Sequence, residues 1–235
     1  MCTALARAFR LGRMRYDTNT FRPRNSLRGR HGLGGVNMLR LYDSRLSGNS
    51  WKVRILLNQL GIAYERETLD LLKGETQTPD FKKISRFARV PVLQLEDGRS
   101  LVESSAILLF LAQGSHLLPD DPYERAQVTS WLSFEQGDLQ KPLALCRVYH
   151  KRGLAQAMAK QIEQYHGEGH MALEKLERWL TDRPWLVGDT YTVADLGVFG
   201  YVSLAGEGGF DMAPYPAIAQ WLTRVKQQPG WIDLL

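Results

Sequence analysis

The sequence predicts an α/β amino-terminal domain, built on a mixed four-stranded sheet in the order βαβ then αββα, followed by an all-α helical bundle. Three observations predict it. Between residues 39 and 103, short stretches of alternating apolar and polar residues recur, with helical periodicity between them. An Asp97-Gly98 pair separates two of those stretches, which is a hairpin signal. After a Pro/Asp-rich linker at 114–122 no strand pattern recurs, and apolar residues return at intervals of three and four. The expected organisation is a basic extension over 1–37, a sheet domain over 38–113, a linker over 114–122 and a helical domain over 123–235.

Leu39 to Asp43 alternates and reads as the first strand. Ser50 to Ile62 carries apolar residues at 51, 53, 55, 56, 57 and 60, a helix with a wide buried face that Gly61 closes, and Ser50 is its expected N-cap. Ala63 to Asp70 alternates again as a second strand. A strand, a helix and a second strand close behind imply a parallel pair with a right-handed crossover. Thr78-Pro79-Asp80 opens a short helix with proline near its first turn. Val90 to Glu96 and Ser100 to Glu103 are the third and fourth strands, an antiparallel edge. Ser104 to Ala112 is apolar nearly all round, hence a buried helix, with Ser104 or Ser105 as its N-cap. This order matches the thioredoxin-like arrangement. Beyond the linker, 123–140, 154–182, 192–206 and 215–230 read as helices. Gly167 and Gly169 weaken the middle of the longest, where a kink or break is expected. Thr192 with Asp195 is a capping box in acidic form.

Apolar residues make up 44% of the chain and charged residues 23%, ordinary for a globular protein, and no run approaches a membrane span. The net charge of +5 belongs to one end. Residues 1–37 hold eight arginines against one acid, Asp17, while the rest of the chain holds 22 basic and 24 acidic side chains. The body therefore gives no electrostatic case for nucleic acid, and neither nucleic acid nor a membrane is an expected partner. The extension, rich in Arg, Gly, Asn and Ser, is expected to be disordered. It reads as sequence upstream of a start at Met38, as a mitochondrial targeting segment, or as a basic arm. Two cysteines, Cys2 and Cys146, make neither a disulfide framework nor a metal site. A cytoplasmic location is expected, mitochondrial if the extension targets, and Cys146 is expected to be a buried apolar residue.

Three segments, in order and at the right distances, resemble the cytosolic glutathione transferase family: LYDSRLSGNSWKVRILL (41–57), VPVLQLEDGRSLVESSAILLFLA (90–112) and PWLVGDTYTVADLGVFGY (184–201). The resemblance spans roughly Leu39 to Trp231, and the first segment is similar to the serine-type, theta-like and zeta-like members. It implies glutathione as co-substrate with no metal, an apolar electrophile against the helical domain, and a homodimer. It also implies a cis Val90–Pro91 peptide, with the Val90 backbone pairing to the cysteinyl group of glutathione; proline at a first strand position is the plainer reading of the same residue. Glu103 then faces the ammonium of the γ-glutamyl group and Ser104 its carboxylate, at a helix start whose free N–H groups suit an anion. Arg89 matches the position that meets the glycyl carboxylate, with Lys83 and Arg86 as further candidates.

A free thiol titrates near ~8.5, and lowering that by two units takes only ~2.7 kcal/mol of preferential stabilisation of the thiolate. A hydroxyl donor beside a helix N-terminus can provide it. Aligned on Trp51, Val53 and Arg54, Ser47 matches the family's catalytic serine; Asn49 is a second donor and Gly48 lets the backbone come close. No cysteine lies in this stretch, which favours transfer or isomerisation over a mixed disulfide on the chain. Tyr42, Trp131, Phe134, Glu135 and Arg147 are read as packing residues or as the edge of a second-substrate pocket. Gly74-Glu75-Thr76 and Ser85-Arg86-Phe87-Ala88 stand where related bacterial enzymes read Gly-Glu-His and Asn-Pro-x-Gly, so the loop over the glycyl end is altered. Two alternatives to conjugation stay open: a zeta-like glutathione-dependent isomerase or dehalogenase of a small acid, and a non-catalytic binding or dimerisation protein.

Overall fold

The structure, a computed structural model, describes residues 38–235. The arginine-rich segment 1–37, with Cys2 and the start at Met38 that it raises, lies outside the described residues apart from Met38 itself. Four strands, β1 (Leu39–Asp43), β2 (Tyr64–Thr68), β3 (Val92–Gln94) and β4 (Ser100–Val102), form one sheet in the order β2-β1-β3-β4. β1 and β2 run parallel, with Leu41 opposite Arg66. β3 is antiparallel to β1, and β4 to β3, so the hairpin is the antiparallel edge that the Asp-Gly turn predicts. The parallel pair is bridged by α1 (Gly48–Gln59), the β2–β3 connection holds α2 (Pro79–Ile84), and α3 (Ser104–Ala112) follows β4.

Strand alternation sorts β1 between two cores. Leu39 and Leu41 face α1 and the main core, whereas Tyr42 turns to the other face, against Phe81 of α2 with Val92 and Val102. The remaining helices are α4 (Pro122–Phe134), α5 (Gln140–Lys151), α6 (Ala159–Leu180), α7 (Val193–Val202) and α8 (Pro216–Lys226). A π-helical turn, Glu135–Leu139, joins α4 to α5. α7 is buried along its whole length and packs against α1, α3 and α4, which makes it the centre of the fold. Its capping box is present as expected: the Thr192 side chain and that of Asp195 each accept from the backbone of the first turn.

The glycines of α6 do not break it. The helix runs unbroken through Gly167 and Gly169, and Gly169 is there for space: a Cβ would collide with the ring of Phe210. Its start is five residues later than the periodicity suggests, because 155–158 are turn rather than helix. Both expected N-caps also move. Ser47, not Ser50, caps α1, its Oγ accepting from the Ser50 amide at 3.2 Å. Glu103, not a serine, stands at the cap of α3 with φ +71°, and its side chain satisfies no amide there.

The last residues return to α1. Trp51 Nε1 donates to the Ile232 carbonyl at 2.9 Å, Arg54 Nη2 to that of Leu234 at 2.7 Å, and Asn58 Nδ2 to that of Gly230 at 2.9 Å. Trp51 also meets Phe199 and Trp231 edge to face, so α1 is held between the sheet and the helical half.

Candidate functional site

A cavity of about 720 Å³ opens where the start of α1, the 85–91 loop and the start of α3 meet α5 and the π turn. Ser47, Asn49, Arg89, Val90, Pro91, Glu103 and Ser104 all line it. Three separate stretches of chain bring them together: the β1–α1 loop, the approach to β3 and the β4–α3 junction. The Val90–Pro91 peptide is cis, as the resemblance implies.

At one end stand two donors. The oxygen of Ser47 accepts from the Ser50 amide, so its own proton remains to be given to something in the cavity. Asn49 Oδ1 is occupied twice, by Lys52 Nζ at 2.9 Å and by Ser104 Oγ at 3.2 Å. Its amide N–H groups have no partner among the described residues. Gly48 packs under the Tyr201 ring, where a Cβ would stand 3.3 Å from two ring carbons.

Across the cavity, Glu103 is exposed and holds a positive φ, which costs a non-glycine residue of order 1–3 kcal/mol and is typical of ligand sites. With no side chain capping α3, the first amides of that helix face the cavity mouth free to meet an anion. The altered 85–88 segment closes in its own way. Ser85 Oγ donates to the Arg89 carbonyl at 3.0 Å and accepts from the Arg89 amide at 3.2 Å, and Ala88 takes φ +52°. The Arg89 guanidinium has no partner among the described residues. Lys83 is turned to Asp80 at 2.8 Å and Arg86 lies over Phe87, so neither of these two candidates lines the cavity.

A second cavity, of about 790 Å³, adjoins the first and shares Ser47, Leu71, Ala144 and Tyr201 with it. Leu46, Leu69, Leu72 and Val148 line it together with Arg45, Arg147, Lys151 and Arg152. Arg147 reaches across the halves: Nε donates to Glu207 at 2.7 Å and Nη1 to the Leu46 carbonyl at 2.6 Å, fixing the loop that carries Ser47. Burial alone would raise the Glu207 carboxyl, but Lys151 and Arg147 hold it below its ordinary value.

Of the residues read as packing or pocket edge, only Arg147 lines this second cavity. Tyr42 is 4% exposed beneath the sheet, edge to face with Phe81. Trp131 and Phe134 sit edge to face with each other, and Trp131 with Trp179 of α6, away from both cavities. They occupy a face of α4 turned to α6, which spacing along α4 does not reveal. The reading from sequence also missed Tyr201, Gln136, Gln140 and Lys141, which line the first cavity. Tyr201 sits in the apolar run of α7 and looks like core; burial pushes its phenol up to about 12. Only the packing of α7 on α1 carries it to the junction of the two cavities.

This fold, with its cavity at the head of α1, belongs to the glutathione S-transferase family: residues 46–113 match the family's N-terminal domain and residues 145–229 its C-terminal domain. The crystal structure of a glutathione S-transferase from Pseudomonas fluorescens is similar, at 39% identity and a TM-score of 0.82, over 84% of this chain and 99% of that one. The disulfide-bond oxidoreductase YfcG of Escherichia coli is 31% identical over 189 residues, 77% of this chain and 87% of that protein. A structure of Ure2p in complex with glutathione superposes with a TM-score of 0.78 at 27% identity, over 86% of this chain and 100% of that one.

Proposed function

We propose that the protein is a glutathione transferase: it binds glutathione as the thiolate in the first cavity and conjugates it to an apolar electrophile held in the second. The observation that carries this reading is the convergence of seven residues on one cavity, with the Ser47 hydroxyl and the Asn49 amide as donors at the end next to the second cavity. Glutathione carries an ammonium and a carboxylate on its γ-glutamyl carbon. Glu103 meets the ammonium, and the free backbone amides at the start of α3, that of Ser104 first, meet the carboxylate, while the Ser104 hydroxyl stays on Asn49. Arg89 meets the glycyl carboxylate, and the Val90 backbone pairs with the cysteinyl unit.

The Ser47 proton and the Asn49 N–H groups donate to sulfur and favour its anionic form. The thiolate attacks the electrophilic carbon, the new S–C bond takes the sulfur electron pair, and the leaving group departs with its own. The thiol proton goes to solvent through the open mouth of the cavity. Glutathione bound in Ure2p, a similar structure, supports the ligand.

One further reading has an observation in its favour. The similarity to a disulfide-bond oxidoreductase supports thiolate attack on a disulfide, with the second cavity taking the thiol that leaves.

The test is conjugation of glutathione to a generic aryl halide, run beside reduction of a small glutathionyl disulfide. In Ser47→Ala the apparent pKa of bound glutathione rises while glutathione still binds. An unchanged pH profile contradicts the role of Ser47. Glutathione retained with neither activity would leave a binding protein.

A further inference from the structure

We propose that Lys52 and Glu135 are positioning residues of the thiol site, a buried ion pair that reaches from the helical half to hold Asn49 with its amide donors toward the sulfur. This rests on the glutathione reading only for the identity of what Asn49 meets.

The pair is fully buried: Lys52 is 1% and Glu135 0% exposed at the side chain, with Nζ and Oε1 2.8 Å apart. Taking two charges out of water costs several kcal/mol per ion, and an apolar pair of similar volume is often as stable or more so. Packing alone therefore gives little reason for these two residues. What the pair does besides is specific. Lys52 Nζ also donates to Asn49 Oδ1 at 2.9 Å. An ammonium has no lone pair to offer, so only the carbonyl end of the asparagine can face it. Ser104 Oγ donates to the same oxygen, so the carbamoyl group is fixed end for end and its N–H groups are left for the cavity.

The anchor is itself anchored. The other Glu135 oxygen accepts from Gln136 Nε2 at 2.6 Å. Glu135 opens the π turn, where the Gln140 amide bonds back five residues to its carbonyl. Single π turns inside helices occur often at functional sites. α7 leaves a path for the lysine stem at Gly200, where a Cβ would collide with Lys52 Cε. Tyr201 closes over the ammonium, 5.5 Å from ring centre to Nζ.

The chain of contacts runs Glu135, Lys52, Asn49, sulfur. Only Asn49 touches the ligand; the other two act through it. Fixing the donor in advance spares its ordering when glutathione binds, and a donor already aimed where charge develops stabilises that charge most.

The test replaces the pair with Lys52→Met and Glu135→Leu together, in the full chain. The first readout is the ¹⁵N order parameter of the Asn49 side-chain amide without ligand, which is expected to fall from a rigid value to below about 0.6. The second is the pH midpoint of thiolate absorbance of bound glutathione, expected to rise by about one unit, a tenfold fall in the thiolate-to-thiol ratio at any given pH. Should that variant not fold, Lys52→Gln with Glu135→Gln gives a neutral polar pair whose side chain at 52 is one bond too short to reach Asn49, and the same two shifts are expected. A folded variant with Asn49 still rigid and the midpoint unmoved overturns the proposal, whatever happens to its melting temperature. If the parent protein gives no thiolate signal with glutathione, the conjugation reading fails, and the Asn49 order parameter alone decides the positioning role.

Discussion

Replacing Asp195 by alanine removes one carboxylate and strands three backbone or indole donors at once. Oδ1 accepts from the Leu186 amide at 3.0 Å and from Trp221 Nε1 at 2.9 Å; Oδ2 accepts from the Thr192 amide at 3.0 Å and from its hydroxyl at 3.3 Å. Asp195 is 0% exposed, so no bulk water takes its place. A buried donor left unsatisfied costs about 1–3 kcal/mol, and the hydroxyl can rotate away, so three stranded N–H groups with some relaxation give about 3–5 kcal/mol. For a body of this size each kcal/mol lowers the melting temperature by about 2–4 °C, which puts the expected drop at about 6–20 °C. Urea unfolding measures it as a lower midpoint at unchanged slope. The pH dependence is a second arm. Burial outweighs the four donors and pushes the Asp195 carboxyl from 3.8 up to about 6. A folded value above the unfolded one makes the contribution complete below about pH 3.8 and lost as pH rises through about 6. The advantage of the parent over Asp195→Asn should therefore shrink across that window, by up to about 3 kcal/mol. A loss under about 1 kcal/mol for the alanine variant refutes the hydrogen-bond reasoning. An advantage that grows from pH 4 to 6 says that the donors, not burial, set the carboxyl.

Gly200→Ala places a methyl group against the Lys52 stem and should lower conjugation more than it raises the KM for glutathione, read from steady-state kinetics. Gly197→Ala drives a methyl group into the Leu132 side chain at the α4–α7 contact, and a loss of about 1–3 kcal/mol in urea unfolding is expected without a change in the pH profile of activity. Cys146 is 0% exposed, and burial pushes its thiol up to about 11, so it should resist iodoacetamide in the folded protein at pH 8 and react on unfolding, with peptide mass mapping as the check. Glu207, held low by Lys151 and Arg147, contributes stability that is full above its ordinary value of 4.5 and is lost as pH falls through the lower folded value; Glu207→Gln should flatten the acid limb of the stability profile.

The sheet and its order could be read in the chain because strands and hairpins advertise themselves locally. β1 coincides with the alternating run at 39–43, and Asp97-Gly98 turns the edge hairpin. The first cavity was legible through three segments whose residues converge as the resemblance implies. The cap residues were not. Ser47 and Ser50 both satisfy the composition of an N-cap, and only the backbone path decides which hydroxyl meets the first amides. Whether Trp131 and Phe134 pack or edge a pocket stayed open in the sequence for a related reason, and they pack: a helix of this length has more than one apolar face, and the partner chosen by each depends on helices distant in sequence.

By itself the sequence determined most of the local elements, the family and seven of the residues that line the first cavity, since each is carried by a short motif of residues near one another in the chain. The tertiary structure alone decided that Glu135, 83 positions from Lys52, completes the tether on Asn49. It also decided that Tyr201 stands between two cavities and that a carboxylate at Asp195 serves the start of α7 and the indole of α8 together. Burial and pairing across such separations follow from how helices stack. No periodicity in one helix records which side chain of another will fill the space it leaves.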